Sequence, residues 1–203
     1  MKHIKKIAFF GYADTKPEED LYHTVYQAAK VLAEKEYTII NGGGPGLMEA
    51  ATKGAESVNG DTLTVTLKQK YMTGFEGSYV GNVPDKEIVT YNYIDRIRGL
   101  IVEADAYVIF NGGTGTLSEL GMVWCLAKLY RGHHKPFVLY GAHWKPVIEA
   151  LVTHMLIRKE STELFEIVEN DEELAEALSH FERQIGHREH NHVHAGEEKG
   201  FML

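Results

Sequence analysis

The chain has 203 residues, 44% of them apolar and 25% charged, with 20 glycines, five prolines and one cysteine. That length suits one domain with a core that needs no disulfide or structural metal, and the apolar fraction excludes a disordered protein. The net charge of -8 argues against a nucleic-acid partner, which calls for a basic footprint, and the absence of a run of about 18 apolar residues argues against a membrane span.

In chain order, short β-rich runs alternate with longer helical patterns. Met1 to Phe10 is basic and then apolar, as in a leader peptide, but the apolar part is too short, and Ile4–Phe10 reads as a first strand ending at Gly11. Between Glu18 and Lys35, apolar Leu21, Val25, Ala28, Ala29 and Leu32 recur at helical spacing. A strand over Tyr37–Asn41 runs into Gly42, Gly43, Gly44, Pro45 and Gly46, and a helix follows from Leu47 to Ser57. Asp61–Leu67 is a third strand, residues 68–86 read as loop, and Glu87–Tyr91 is a short strand. A helix from Tyr93 to Ala104 precedes the apolar strand Ala106–Phe110, which runs into Asn111, Gly112, Gly113, Thr114 and Gly115. The next helix, Thr116–Tyr130, is apolar nearly all round. Pro136–Tyr140 is a strand, as is Phe165–Val168, and helices are expected at Trp144–Lys159 and Glu172–Ile185. The pattern is α/β: a Rossmann-like three-layer α/β/α sandwich around a mostly parallel sheet. It implies one domain over residues 1–186 and a flexible histidine-rich tail over 187–203.

Two glycine clusters directly follow strands and open helices, on the edge where open parallel sheets bind ligands. Glycine allows a tight turn and a close approach to a ligand, and the helix behind it offers unpaired N–H groups to an anion. Turn geometry alone also asks for glycine, so one cluster is ambiguous; two of this density favour a ligand. The dinucleotide fingerprint is missing, because Leu47 stands where its third glycine belongs, and neither a Walker-type Gly-Lys-Ser/Thr nor a Gly-x-Ser-x-Gly elbow occurs. A mononucleotide or phosphorylated sugar remains. Thr116 and Glu119 match a capping box, in which the carboxylate satisfies helix N–H groups and needs no ligand.

Gly42–Met48, Arg96 and Gly112–Glu119 together resemble the LOG (LONELY GUY) family, whose members often carry the older description "possible lysine decarboxylase". The resemblance covers residues 4–180. It implies a usually dimeric protein that binds nucleoside 5'-monophosphates and hydrolyses the N-glycosidic bond, releasing a cytokinin or purine base and ribose 5-phosphate. It assigns catalysis to Arg96 and Glu119, with Arg98 as the competing arginine. Substrate and phosphate binding fall to Gly42, Gly43, Gly44, Gly46, Gly112, Gly113, Thr114, Gly115 and Thr116. Asn111 stands in place of the family's signature proline, and Ile97 in place of the lysine after the arginine. These departures keep open a second reading, a nucleotide-binding protein without turnover that resembles molybdenum-cofactor carriers.

No metal or cofactor is required by this scheme. A lysine decarboxylase needs pyridoxal phosphate on a lysine, and the lysines nearest the glycine clusters, Lys53 and Lys68, read as surface groups. Trp124 and Met122, on the apolar helix, are placed either in the core or against a second subunit, and Cys125 beside them reads as a small buried hydrophobe. A lone cysteine fits a reducing, cytoplasmic setting. His190, His192 and His194 would share one face of an extended chain, a spacing that suits a transition metal, but a solvated tail is the simpler reading.

Overall fold

The structure, a computed structural model, describes residues 3–68 and 78–195, the last nine as backbone only. Among the described residues the strands are β1 (Lys6–Phe10), β2 (Thr38–Asn41), β3 (Thr62–Leu67), β4 (Lys86–Thr90), β5 (Ala106–Ile109), β6 (Phe137–Tyr140) and β7 (Phe165–Val168). They form one parallel seven-stranded sheet in the order β4-β3-β2-β1-β5-β6-β7. Among the same residues six α-helices connect and flank them: α1 (Asp20–Glu34), α2 (Leu47–Glu56), α3 (Tyr93–Glu103), α4 (Thr114–Leu129), α5 (Trp144–His154) and α6 (Asp171–Ala195).

β1, β2, β3, β5 and β6 are buried nearly throughout, as expected when helices cover both faces of a parallel sheet. Alternation along the strands divides the core in two. Ile7, Phe9, Ile39, Val108 and Phe110 face α1, α2 and α6. Ala8, Phe10, Ile40, Val65, Tyr107 and Ile109 face α3, α4 and α5. The chain builds outward from β1 to β4 and then returns to place β5 on the other side of β1. The reversal makes β1 the topological switch point, where α/β sheets open a crevice at their carboxyl ends.

Two helix boundaries differ from the sequence reading. The pattern carries the helix after β6 to Lys159, but α5 stops at His154 and a 3-10 turn covers Lys159–Leu164. The pattern also ends the last helix at Ile185, whereas the backbone stays helical to Ala195. Loss of an apolar stripe ends the burial signal without ending helical hydrogen bonding. Because a helix advances about 100° per residue, positions 190, 192 and 194 do not share a face as they would in an extended chain. Of the loop expected over 68–86, residues 69–77 lie outside the described residues.

Candidate functional site

The carboxyl ends of β1, β2 and β5 bring three turns together. Tyr12, just past β1, donates its N–H to the Asn111 carbonyl at 3.0 Å and accepts from the Leu47 N–H at 3.0 Å. The turn after β1 therefore ties both glycine clusters to the switch point. No motif marks Tyr12 in the sequence; its only signal is its place at the end of the central strand.

The first cluster is buried and shaped by the fold itself. Asn41, the last residue of β2, is fully buried. Its Oδ1 accepts the Gly43 N–H at 2.8 Å, closing an Asx turn, and its Nδ2 donates to Thr52 Oγ1 at 2.8 Å. Asn82 Nδ2 donates to the Gly44 carbonyl at 2.9 Å and to Asn41 Oδ1 at 3.2 Å. Gly46 has φ +62°, and a Cβ there would overlap the Ala13 carbonyl. Turn geometry thus accounts for this cluster. An asparagine ending a strand before Gly-Gly was a legible cue to the Asx turn; Asn82, forty residues on, was not.

Arg96 enters beneath this turn from α3. Asn92 caps that helix, its side chain accepting the Asp95 N–H at 2.8 Å, and Ile97, Leu100 and Ile101 bury its inner face. Arg96 Nε donates to the Val65 carbonyl at 3.2 Å, and one terminal nitrogen donates to the Gly42 carbonyl at 3.0 Å and to Met48 Sδ at 3.5 Å. A Cβ on Gly42 would overlap the guanidinium, so any side chain there displaces Arg96. Arg96 is buried and Arg98 is exposed, so only Arg96 reaches this region.

The second cluster has the opposite character. α4 starts at Thr114, two residues before the sequence pattern places it, with Gly113 as N-cap and no side-chain cap. The capping box is therefore absent: Thr116 is the third helical residue and Glu119 the sixth, too far along to reach the cap. Gly113, Thr114 and Gly115 are exposed, and a Cβ on Gly113 or Gly115 would meet nothing within 4 Å among the described residues. The fold does not ask for glycine at these two positions. The first intrahelical bond from this end is Leu117 N–H to the Gly113 carbonyl at 3.0 Å. The N–H groups of Thr114, Gly115 and Thr116 precede it and are open to an acceptor at a positive helix end. Thr116 is buried, and a Cβ on Gly112 would overlap its hydroxyl.

Glu119 leaves α4 on the same side of the sheet as Arg96 and is 8% exposed. Burial pushes its carboxyl up to about 7, and the nearby Arg96 charge partly opposes the shift. The pair is coupled through space, but Glu119 is not among the described hydrogen-bond partners of the guanidinium. A carboxyl that titrates near neutrality is suited to proton transfer.

The remaining sequence candidates divide. Trp124 is buried, its Nε1 donating to the Ser161 carbonyl at 2.8 Å. Cys125 is exposed, not buried as expected, because α4 buries only one side. Leu117, Met122 and Leu129 on that helix are exposed as well. Lys53 is paired with Glu49 one turn earlier on α2, and the bond raises its pKa. A Schiff-base lysine needs the opposite shift. No described helix is long and apolar enough to cross a membrane.

Fold and site together define a Rossmann-like α/β protein with two glycine turns at the carboxyl ends of its central strands and with Arg96 and Glu119 both buried. The family model described as "Possible lysine decarboxylase", the LOG family domain, matches residues 48–178, and the chain belongs to that family. An uncharacterized protein of Archaeoglobus fulgidus is 29% identical over 124 residues, covering 61% of this chain and 78% of that one. Among solved structures, a molybdenum cofactor binding protein from Rippkaea orientalis aligns with a TM-score of 0.63 at 21% identity, covering 89% of this chain and 98% of that one. The molybdenum cofactor carrier protein of Chlamydomonas reinhardtii aligns with a TM-score of 0.60 at 20% identity, covering 90% and 99%. At these identities the likeness is one of fold.

Proposed function

We propose that the chain is a nucleoside 5'-monophosphate phosphoribohydrolase. Water adds to C1' of the ribose, the C1'–N bond breaks, and the base leaves with a proton, giving free base and ribose 5-phosphate. The observation that carries this reading is that Glu119 is buried beside Arg96 and is not spent on capping its helix.

Cleavage develops positive charge on the sugar, as in glycoside hydrolysis. The ionised Glu119 carboxylate stabilises that charge and takes a proton from the attacking water. Arg96 stays protonated and cannot be the base; it supplies a fixed positive charge that sets where the substrate's anionic part and the Glu119 carboxylate sit. The 5'-phosphate lies on the open N–H groups of Thr114, Gly115 and Thr116, and Gly113 and Gly115 allow it to approach the backbone. Gly42, Gly43, Gly44 and Gly46 form the neighbouring wall, and the Gly42 carbonyl accepts a hydrogen bond from Arg96. The exposed apolar side of α4 is where a second copy of the chain packs, and a cytoplasmic setting suits the single cysteine.

The reading makes no use of a pyridoxal-phosphate decarboxylase: Lys53 pairs with Glu49, which raises its pKa, whereas a Schiff-base lysine needs the opposite shift. The test is incubation with AMP and related monophosphates, measuring free base and ribose 5-phosphate. Turnover abolished by Glu119→Gln supports the proposal. A second reading, binding without turnover, is favoured by the likeness of fold to the two molybdenum-cofactor-binding proteins. Saturable nucleotide or molybdenum-cofactor binding with no released base would establish it instead.

A further inference from the structure

The loop before β4 lies across the first glycine turn. Residues 79–82 close on themselves: the Asn82 N–H donates to the Tyr79 carbonyl at 3.0 Å, and the Tyr79 ring folds back over Gly81, where a Cβ would overlap it. A turn closed in this way moves as one piece. It meets the glycine turn through hydrogen bonds. The Tyr79 N–H donates to the Gly43 carbonyl at 2.9 Å, and Asn82 Nδ2 donates to the Gly44 carbonyl at 2.9 Å and to Asn41 Oδ1 at 3.2 Å. Gly43 and Gly44 are buried. By contrast Ser78, Tyr79, Val80, Gly81 and Val83 are all exposed, Val80 at 95%, and Asn82 is the one buried residue among them. A little further on, Asp85 is fixed to β3. Its Oδ2 accepts the Thr62 N–H at 2.8 Å and the Thr62 hydroxyl at 2.9 Å, and its own N–H donates to that hydroxyl at 2.9 Å. Between the fixed Asp85 and the buried Asn82 stand Val83 and Pro84.

We propose that residues 79–82 are a strap, pinned over the first glycine turn by the Asn82 carboxamide, that opens as a unit while the sheet stays folded. The strap buries one polar side chain and leaves its apolar ones in water, so little hydrophobic burial holds it down. Asn82 Oδ1 is buried, and among the described residues no group donates to it. A buried acceptor left unmatched raises the free energy of the closed form, and lifting Asn82 toward solvent relieves it. The competing anchor is the Tyr79 phenol, which stands within electrostatic reach of Tyr22 and Lys53. Opening uncovers the Gly43 and Gly44 carbonyls, two acceptors at the carboxyl edge of the sheet. The strap is a property of the ligand-free chain and holds whether or not the chain hydrolyses a nucleotide.

The experiment is amide hydrogen exchange followed by NMR in the ligand-free protein, comparing wild type, Asn82→Ala, Asn82→Asp and Tyr79→Phe. Alanine removes the carboxamide. Aspartate keeps its shape but sets an oxygen against the Gly44 carbonyl and Asn41 Oδ1. In the wild type the Tyr79 amide exchanges by local opening, at a rate that low urea leaves unchanged, while the amides of β1 and β5 follow global unfolding. Losing the two bonds of the carboxamide speeds Tyr79 exchange at least about tenfold in both Asn82 variants and leaves β1 and β5 as in the wild type. Tyr79→Phe, which keeps the N–H and removes the hydroxyl, exchanges at the wild-type rate. An unchanged Tyr79 rate in the Asn82 variants overturns the proposal, as does faster exchange in Tyr79→Phe, which would make the phenol the anchor. If neither Asn82 variant folds, the wild type decides alone: Tyr79 exchange that tracks the β1 and β5 amides across urea concentrations refutes the strap, and exchange independent of urea supports it.

Discussion

Replacing Glu119 by glutamine should make the protein more stable at pH 8 and leave it unchanged near pH 4. The folded carboxyl titrates at about 7 against an ordinary value of 4.5, because burial penalises its charge. Between those values the folded state binds more protons than the unfolded chain, so stability falls as pH rises through that window. At about 1.4 kcal/mol per unit, the full loss above pH 7 is about 3 kcal/mol. Glutamine has the same shape and no charge to bury, so Glu119→Gln escapes the loss. The gain corresponds to a rise of about 6–12 °C in Tm for a chain of this size. Urea unfolding followed by the fluorescence of Trp124 and Trp144, both buried, gives the difference at each pH. Parallel curves for wild type and Glu119→Gln from pH 4 to 8 would refute the buried, unpaired carboxylate. A variant less stable at every pH would show that the carboxylate is held by bonds that glutamine cannot make.

If Glu119 acts as a base, kcat/KM for nucleotide hydrolysis rises through about pH 7 and levels off above it; a flat profile from pH 5.5 to 8.5 removes Glu119 from the rate-limiting proton transfer. Gly42→Ala and Gly113→Ala should behave oppositely. The first forces a methyl group into the Arg96 guanidinium and should cost about 1–3 kcal/mol in chemical denaturation. The second meets nothing within 4 Å among the described residues, so it should keep wild-type stability and lose phosphate affinity by calorimetry. Leu129→Glu on the exposed side of α4 should shift sedimentation from dimer to monomer with the fold intact by circular dichroism; a wild-type chain that sediments as a monomer would refute the packing surface.

Most of the fold was legible because its strands are continuous apolar runs and its helices carry clear stripes. α4 was legible as a helix but not at its start. Thr116 and Glu119 have the spacing of a capping box, and nothing in the local sequence distinguishes them from a real one. The helix begins at Thr114 because Gly113, not Thr116, takes the extended N-cap conformation, and that shift frees Glu119. Cys125 was misjudged for a related reason. An apolar residue on a helix that is apolar all round carries no sign of which side meets the sheet. The end of α6 was missed because the apolar stripe in the sequence ends at Ile185, ten residues before the helix does.

The sequence by itself determined the parallel α/β architecture, the placement of glycine turns at strand ends, and the family, since each depends on local pattern and order. It could not say which glycines serve the fold and which face outward. The tertiary structure made that division: a Cβ on Gly42 or Gly46 would overlap Arg96 or Ala13, whereas one on Gly113 or Gly115 would meet nothing within 4 Å among the described residues. It also buried Arg96 while leaving Arg98 exposed, and set Arg96 within electrostatic reach of Glu119 from a different helix. The physical reason is that burial and through-space charge depend on how helices dock on a sheet, and no spacing along one chain encodes that distance.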